Sequence, residues 1–178
     1  LEILTRAISE DPGNLEAADM LAEALENFTA ASMSPVTEAL RQAVFANPDS
    51  LVLNRLLAQT LARSGDIEDG AKVLEAASSK ALTTDGKASA EYLVALGELL
   101  ADAGLADRSA EAFDRALRSR KIGSGLIRDN DDREFARLVI SKKLDALRRA
   151  EKYALALGAI NSSRPMFGDA DISLDKEL

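Results

Sequence analysis

Four carboxylates, Glu16, Asp19, Glu23 and Glu26, follow one another at spacings of three, four and three. On a helix that spacing lines them up along one face. A row of carboxylates can hold a basic segment of another chain, or it can be a solvated helix face. Repulsion at such spacings costs only a few tenths of a kcal/mol per pair, so the row is tolerable without any function. Carboxylate pairs can also exchange protons. Nothing in the sequence suggests a pocket that would shift their pKa, so no catalytic residue is assigned.

Two further acidic clusters have the look of cation loops. "DNDDRE", residues 129–134, lacks the glycine and the distal glutamate of a calcium loop. Asp131 followed by Glu134 instead reads as a capping box at a helix start. "DADISLD", residues 169–175, carries Leu174 where such a loop needs glycine, and it too reads as a helix N-terminus. "RKIGSG", residues 120–125, sets two cations beside two glycines but lacks the signature of a phosphate loop, so it reads as a linker. The chain has no histidine and no cysteine. That removes the usual zinc sites, Cys/His nucleophile pairs and Ser-His-Asp triads. No cofactor and no metal is expected.

These residues need elements to position them, and the composition points to helices. Hydrophobic residues make up 47% of the 178 and aromatics 4%, so leucine and alanine must fill the core. Spacings of three and four recur along the chain without sustained alternation. The pattern predicts helices over 1–10, 15–28, Pro35 to about Ala46, and 51–79 in two pieces joined at Ser64-Gly65-Asp66. Others are expected over 90–102, 107–119, about 132–149, and from Tyr153 to about Ser163. "DPGN", "TAASMSP", "NPDS", Gly104 and "SRPMFGD" punctuate them. Gly65 suits a left-handed helix C-cap. The formal net charge of −8 argues against nucleic acid as a ligand, since neutralising phosphates needs a cationic surplus. No apolar run reaches the length of a membrane span. The compartment is not readable; a cytoplasmic setting is the default and export stays open.

The helix pairs recur at a fixed register. In 90–120 the order is Leu93, Leu96-Gly97, Leu100, Ser109, Phe113, Ala116. In 51–84 it is Asn54, Leu57-Ala58, Leu61, Gly70, Leu74, Ala77. In 15–48 it is Ala18, Leu21-Ala22, Leu25, Val36, Leu40, Ala43, Pro48. In 137–165 it is looser: Ile140, Lys143-Leu144, Leu147, Ala156, Ile160. This order resembles the tetratricopeptide repeat, whose two helices cross over small residues. The first aromatic of that pattern is never tryptophan here, and inserts at 29–34, 78–89 and 119–131 stretch the period. The rivals are another α-solenoid or a plain helical bundle.

The resemblance implies an all-α fold, a right-handed superhelix of antiparallel helix pairs, over 1–178 as one domain. It implies a partial repeat at 1–14 and another at 169–178, as expected of a fragment of a longer repeat protein. Gly97, Ala58 and Ala22 would be the small residues at the helix crossings. The first helix of each repeat would line a concave groove. Its residues would be Glu16, Asp19, Glu23 and Glu26; then Arg55, Gln59 and Arg63, with Val52; then Glu91, Val94, Glu98 and Asp102; then Asp145 and Arg148, with Ser141 and Arg149. Arg55, Gln59 and Lys142 fall at places where some members clamp a C-terminal carboxylate, but Ala95 and Leu138 replace two clamp residues and the acids of 15–28 would repel it. The function implied is a non-enzymatic interaction module that holds a protein or peptide, a basic one if the acidic row is used. Self-association through repeat ends, or service as a regulatory appendage of a larger enzyme, are the alternatives.

Overall fold

The computed structural model describes residues 2–11, 14–26 and 34–168, with the side chains of Ser9, Leu15, Asp19 and Glu26 outside the description. The described residues form nine helices and no strand. They are α1 (Glu2–Glu10), α2 (Leu15–Glu26), α3 (Ser34–Ala46), α4 (Leu51–Arg63), α5 (Ile67–Leu82), α6 (Gly86–Asp102), α7 (Ala106–Ser119), α8 (Asn130–Arg149) and α9 (Tyr153–Phe167). The fold is all-α. The partial repeat expected at 169–178 and part of the break at 29–35 lie outside the described residues.

The chain forms two compact units, Leu1–Ala81 and Leu82–Leu178. In the first, α1 packs on α2 and α3, α3 on α4, and α2 on α4. Its core is leucine and alanine: Ile8, Leu21, Leu25, Leu40, Leu53 and Leu57 are buried together. Asn54 is buried and its amide donates to the carbonyls of Pro48 and Ser50, which fastens the turn before α4. In the second unit α6 packs on α7, α7 on α8, α8 on α9, and α6 on α8.

Helix ends follow a common device. At Gly65 and Gly104 the backbone turns left-handed, with φ of 97° and 75°. The residue after each donates back into the helix, Asp66 to Leu61 and Leu105 to Leu100. This is the Schellman arrangement, and glycine suits it because it has no β-carbon. Lys121 and Glu151 adopt the same turn at φ of 60° and 58°, with Ile122 donating to Leu117 and Lys152 to Leu147.

Three expected boundaries move. α6 begins at Gly86 and not near 90, because Asp85 caps it by accepting from the Lys87 amide. The expected insert at 78–89 is therefore mostly helical. α8 begins at Asn130 and its cap is Asp129, which accepts from Asp132 N–H; Asp131 is inside the helix. α9 runs through Pro165 to Phe167. A proline costs most in a buried helix interior. Here Pro165 and the preceding turn at Asn161 are exposed, and the burial of Met166 and Phe167 holds the last turn in place.

Candidate functional site

The helix crossings come first, because they set how close the helices lie. In the second unit a β-carbon at Gly97 would stand 2.6 Å from the nearest ring atom of Phe113. Phe113 is fully buried, and Ser109 Oγ donates to the Gly97 carbonyl at 2.7 Å. In the first unit the relation recurs between α4 and α5: a β-carbon at Gly70 would stand 2.6 Å from the Ala58 carbonyl oxygen. Gly97 and Ala58 are thus small where paired helices meet. Ala22 is half-buried against the first unit's core.

The expected groove residues divide between the two units. On α2, Glu16 and Glu23 are exposed, while the side chains of Asp19 and Glu26 lie outside the described residues. On α4, which packs beside α2, Arg55 and Arg63 are exposed and Gln59 is half-buried. On α6, Glu91 and Asp102 are exposed and Glu98 is half-buried. Val94 is half-buried against Phe113, Val139 and Ala146, so part of it belongs to the core.

Three of the expected groove carboxylates of the second unit are already matched, while Glu91 is exposed. Glu98 pairs with Lys142 of α8, Asp102 with Arg149 at 3.4 Å, and Asp145 with Arg148 at 2.8 Å. The α6 row is therefore no open acidic stripe. It is an acidic helix laid beside a basic one, and the sequence reading missed this because the partners sit more than forty residues apart. In the first unit α2, which carries the exposed Glu16 and Glu23, packs on α4, which carries the exposed Arg55 and Arg63. Lys142, one of the clamp-like residues, is held by Glu98 and is not a lone cation.

A second concentration of charge joins three helices at the base of the second unit. The Arg120 side chain is 9% exposed and lies 2.8 Å from Asp132 and 3.0 Å from Asp131. Its guanidinium also stacks 4.3 Å from the Phe135 ring centre. Lys87 reaches Asp131 at 2.9 Å. The Lys87 ammonium, then the Arg120 guanidinium, hold the Asp131 carboxyl below its ordinary value, and Asp131 in turn raises Lys87. Beside it, Ser119 Oγ donates to the Gly86 carbonyl at 2.7 Å. The cluster that looked like a cation loop is a structural clasp. Among the described residues no group of three or more acids could hold a metal ion.

The sequence reading also missed a cleft. α7 and α9 both pack on α8 and leave an open depression of about 470 Å³ between them. Its floor is the ion pair of Lys143 and Asp114 at 2.7 Å, with Leu147 and Ala159. A second depression of about 250 Å³ continues it toward Ile122, Gly123 and Ser124. The linker closes that end: Ile122 and Ile127 are buried with Met166 and Phe167, and Ile127 N–H donates to the Met166 carbonyl. No sequence signal marks this cleft, because it depends on the separation of two helices.

No family model matches the sequence, and neither a curated protein nor a solved structure matches it. Among the described residues, no helix is long and apolar enough to cross a membrane.

Proposed function

We propose that the chain is a protein-interaction module built of tetratricopeptide-like helix pairs, which holds a peptide or protein partner on the faces of its first helices. The observation that carries this reading is the pairing of an acidic with a basic helix in each unit, α2 beside α4 and α6 beside α8. Charged side chains at the surface contribute little to stability. Set in ordered rows, they give register and selectivity to a docking partner. The small-residue crossings support the repeat reading: Ala58 meets Gly70 and Gly97 meets Ser109 at the same sequence separation. Because Glu98, Asp102 and Asp145 are already paired, the favoured partner is a segment of mixed charge and not a purely basic one.

A peptide array spanning basic, acidic and mixed-charge segments, read at low and at physiological salt, tests this. Capture of mixed-charge peptides that weakens with salt, and weakens again on Glu91→Lys or Arg148→Glu, is the expected result. Both residues are exposed, so these variants keep the fold. Capture indifferent to both substitutions, or none at all, would remove the reading.

A further inference from the structure

The helix glycines of the second unit are not equivalent. Gly97 is forced by Phe113, whereas a β-carbon at Gly158 would meet nothing within 4 Å. A glycine inside a helix costs roughly 1 kcal/mol relative to alanine, and no contact within the chain explains this one. Gly158 lies in the wall of the α7–α9 cleft, with Ala154 and Ser162 one turn to either side. The α9 wall is therefore low along three successive turns, and the backbone of another segment can approach it closely.

The cleft has defined ends. Lys152 pairs with Asp107 at the start of both helices, and the linker with Ile122 and Ile127 fills the space at their far end. From Asp107 to Arg118 along α7 the rise is about 16 Å, or three helical turns. The apolar lining is Ala110, Leu147, Leu155 and Ala159. Charges of both signs stand on the α7 rim: Glu111 and Arg118, both exposed, about 10 Å apart along the axis. Asp114 between them is occupied by Lys143. The rim thus offers one carboxylate and one guanidinium two turns apart, beside a trough with apolar sides and the neutralised Lys143–Asp114 pair at its floor.

From this geometry we infer that the α7–α9 cleft docks an amphipathic helix of a partner protein. Its apolar face lies in the trough, with a basic residue at Glu111 and an acidic residue two turns away at Arg118. A helix supplies both requirements: side chains at three- and four-residue spacing enter one groove, and residues seven apart share one flank. The occupied face belongs to α7 and α9, the second helices of their pairs, so this site is separate from the α6–α8 face and its test does not depend on that reading.

The probes are synthetic helical peptides of about 14 residues with a Leu/Ala face. Their flanking pair, seven apart, is Lys/Glu, Lys/Lys, Glu/Glu or Gln/Gln. Binding to the full chain is followed by fluorescence anisotropy, with sedimentation of the chain alone. The Lys/Glu peptide should bind at least tenfold more tightly than either like-charged peptide. Gly158→Leu, placed in open space, should weaken it about tenfold while leaving the circular dichroism unchanged and the melting temperature equal or higher, since leucine is the better helix former. Arg118→Glu, which leaves the rim wholly acidic, should move the preference to the Lys/Lys peptide. Equal binding of all four peptides, or binding untouched by Gly158→Leu, would overturn the assignment. So would a self-association of the chain that Gly158→Leu abolishes, since the occupant would then be a second copy.

Discussion

Gly97 lies so close beneath the ring of Phe113 that a single added methyl group would stand 2.6 Å from a ring carbon. The ring cannot swing aside, because Phe113 is 1% exposed at the centre of the α6–α7 crossing. Helix propensity and packing therefore oppose one another at this position. Alanine would gain about 1 kcal/mol of propensity and lose roughly 1–3 kcal/mol to overpacking. Gly97→Ala should be net destabilising by about 1 kcal/mol, measured by urea unfolding. Combining it with Phe113→Leu should recover part of that loss, as coupled neighbours do. Gly70→Ala should cost more than Gly97→Ala, since its obstacle is the backbone oxygen of Ala58 and not a ring.

Arg120 is the most buried cation of the clasp, and removing it takes the guanidinium from half-buried Asp132, while Asp131 keeps Lys87. Hydrogen bonds to charged groups contribute roughly 1.5–3 kcal/mol, and the stacked guanidinium adds to that. Arg120→Ala should lower stability by about 2–3 kcal/mol. Arg120→Lys should recover less than half of it, because an ammonium keeps the charge but not the planar fork. Chemical denaturation of both variants, followed by far-ultraviolet circular dichroism, checks the order.

The clasp also sets a pH window. Asp131 is held below its ordinary carboxylate range, so its contribution is present above about pH 4 and is lost as pH falls through the lower, folded value. Lys87 is raised, so its contribution is complete below about pH 10.4 and is lost as pH rises through the higher, folded value. Melting temperatures of the native chain and Asp131→Asn should differ near neutrality. They should converge in acid below that window, and the gap should narrow with added salt because the pair is exposed.

Glu151 closes α8 in the left-handed region that a β-carbon disfavours, at φ of 58°. The strain of such a turn is about 1–2 kcal/mol, and glycine gives back roughly half of it through its freer unfolded chain. Glu151→Gly should raise stability by about 0.5–1 kcal/mol. Gly104→Ala, the reverse change at the equivalent turn, should lower it. Thermal melts of the two variants decide the matter.

The helices were legible because leucine and alanine recur at a helical period. The turns at Gly65 and Gly104 were legible because glycine there has few other reasons to appear. The turns at Lys121 and Glu151 were not, since neither residue announces a left-handed backbone. In the sequence Asp131 reads as the cap because both aspartates precede a helical pattern; the structure separates them, with Asp129 accepting the Asp132 amide and Asp131 paired with Lys87 and Arg120. Of the expected groove residues with described side chains, Glu16, Glu23, Arg55, Arg63, Glu91, Asp102 and Arg148 are exposed, while Gln59, Val94, Glu98 and Asp145 are half-buried. Their charge was misread, because the partner of Glu98 is Lys142 and no local pattern connects the two. Gly97 and Gly158 look alike in a sequence. One is fixed by an aromatic ring, the other faces open space, and that difference exists only in three dimensions.

The bond from Ile127 to the carbonyl of Met166 has a consequence for the order in which the second unit assembles. Contacts between neighbouring helices form early, because little chain entropy is lost in closing a short turn. The linker cannot settle in this way. Ile122 and Ile127 find their apolar partners only after α8 has returned and α9 has run its full length to Phe167. The segment joining α7 to α8 is therefore synthesised before α9 but locked after it. In the folded chain the bond from Ile127 to Met166 ties it to the last turn of α9.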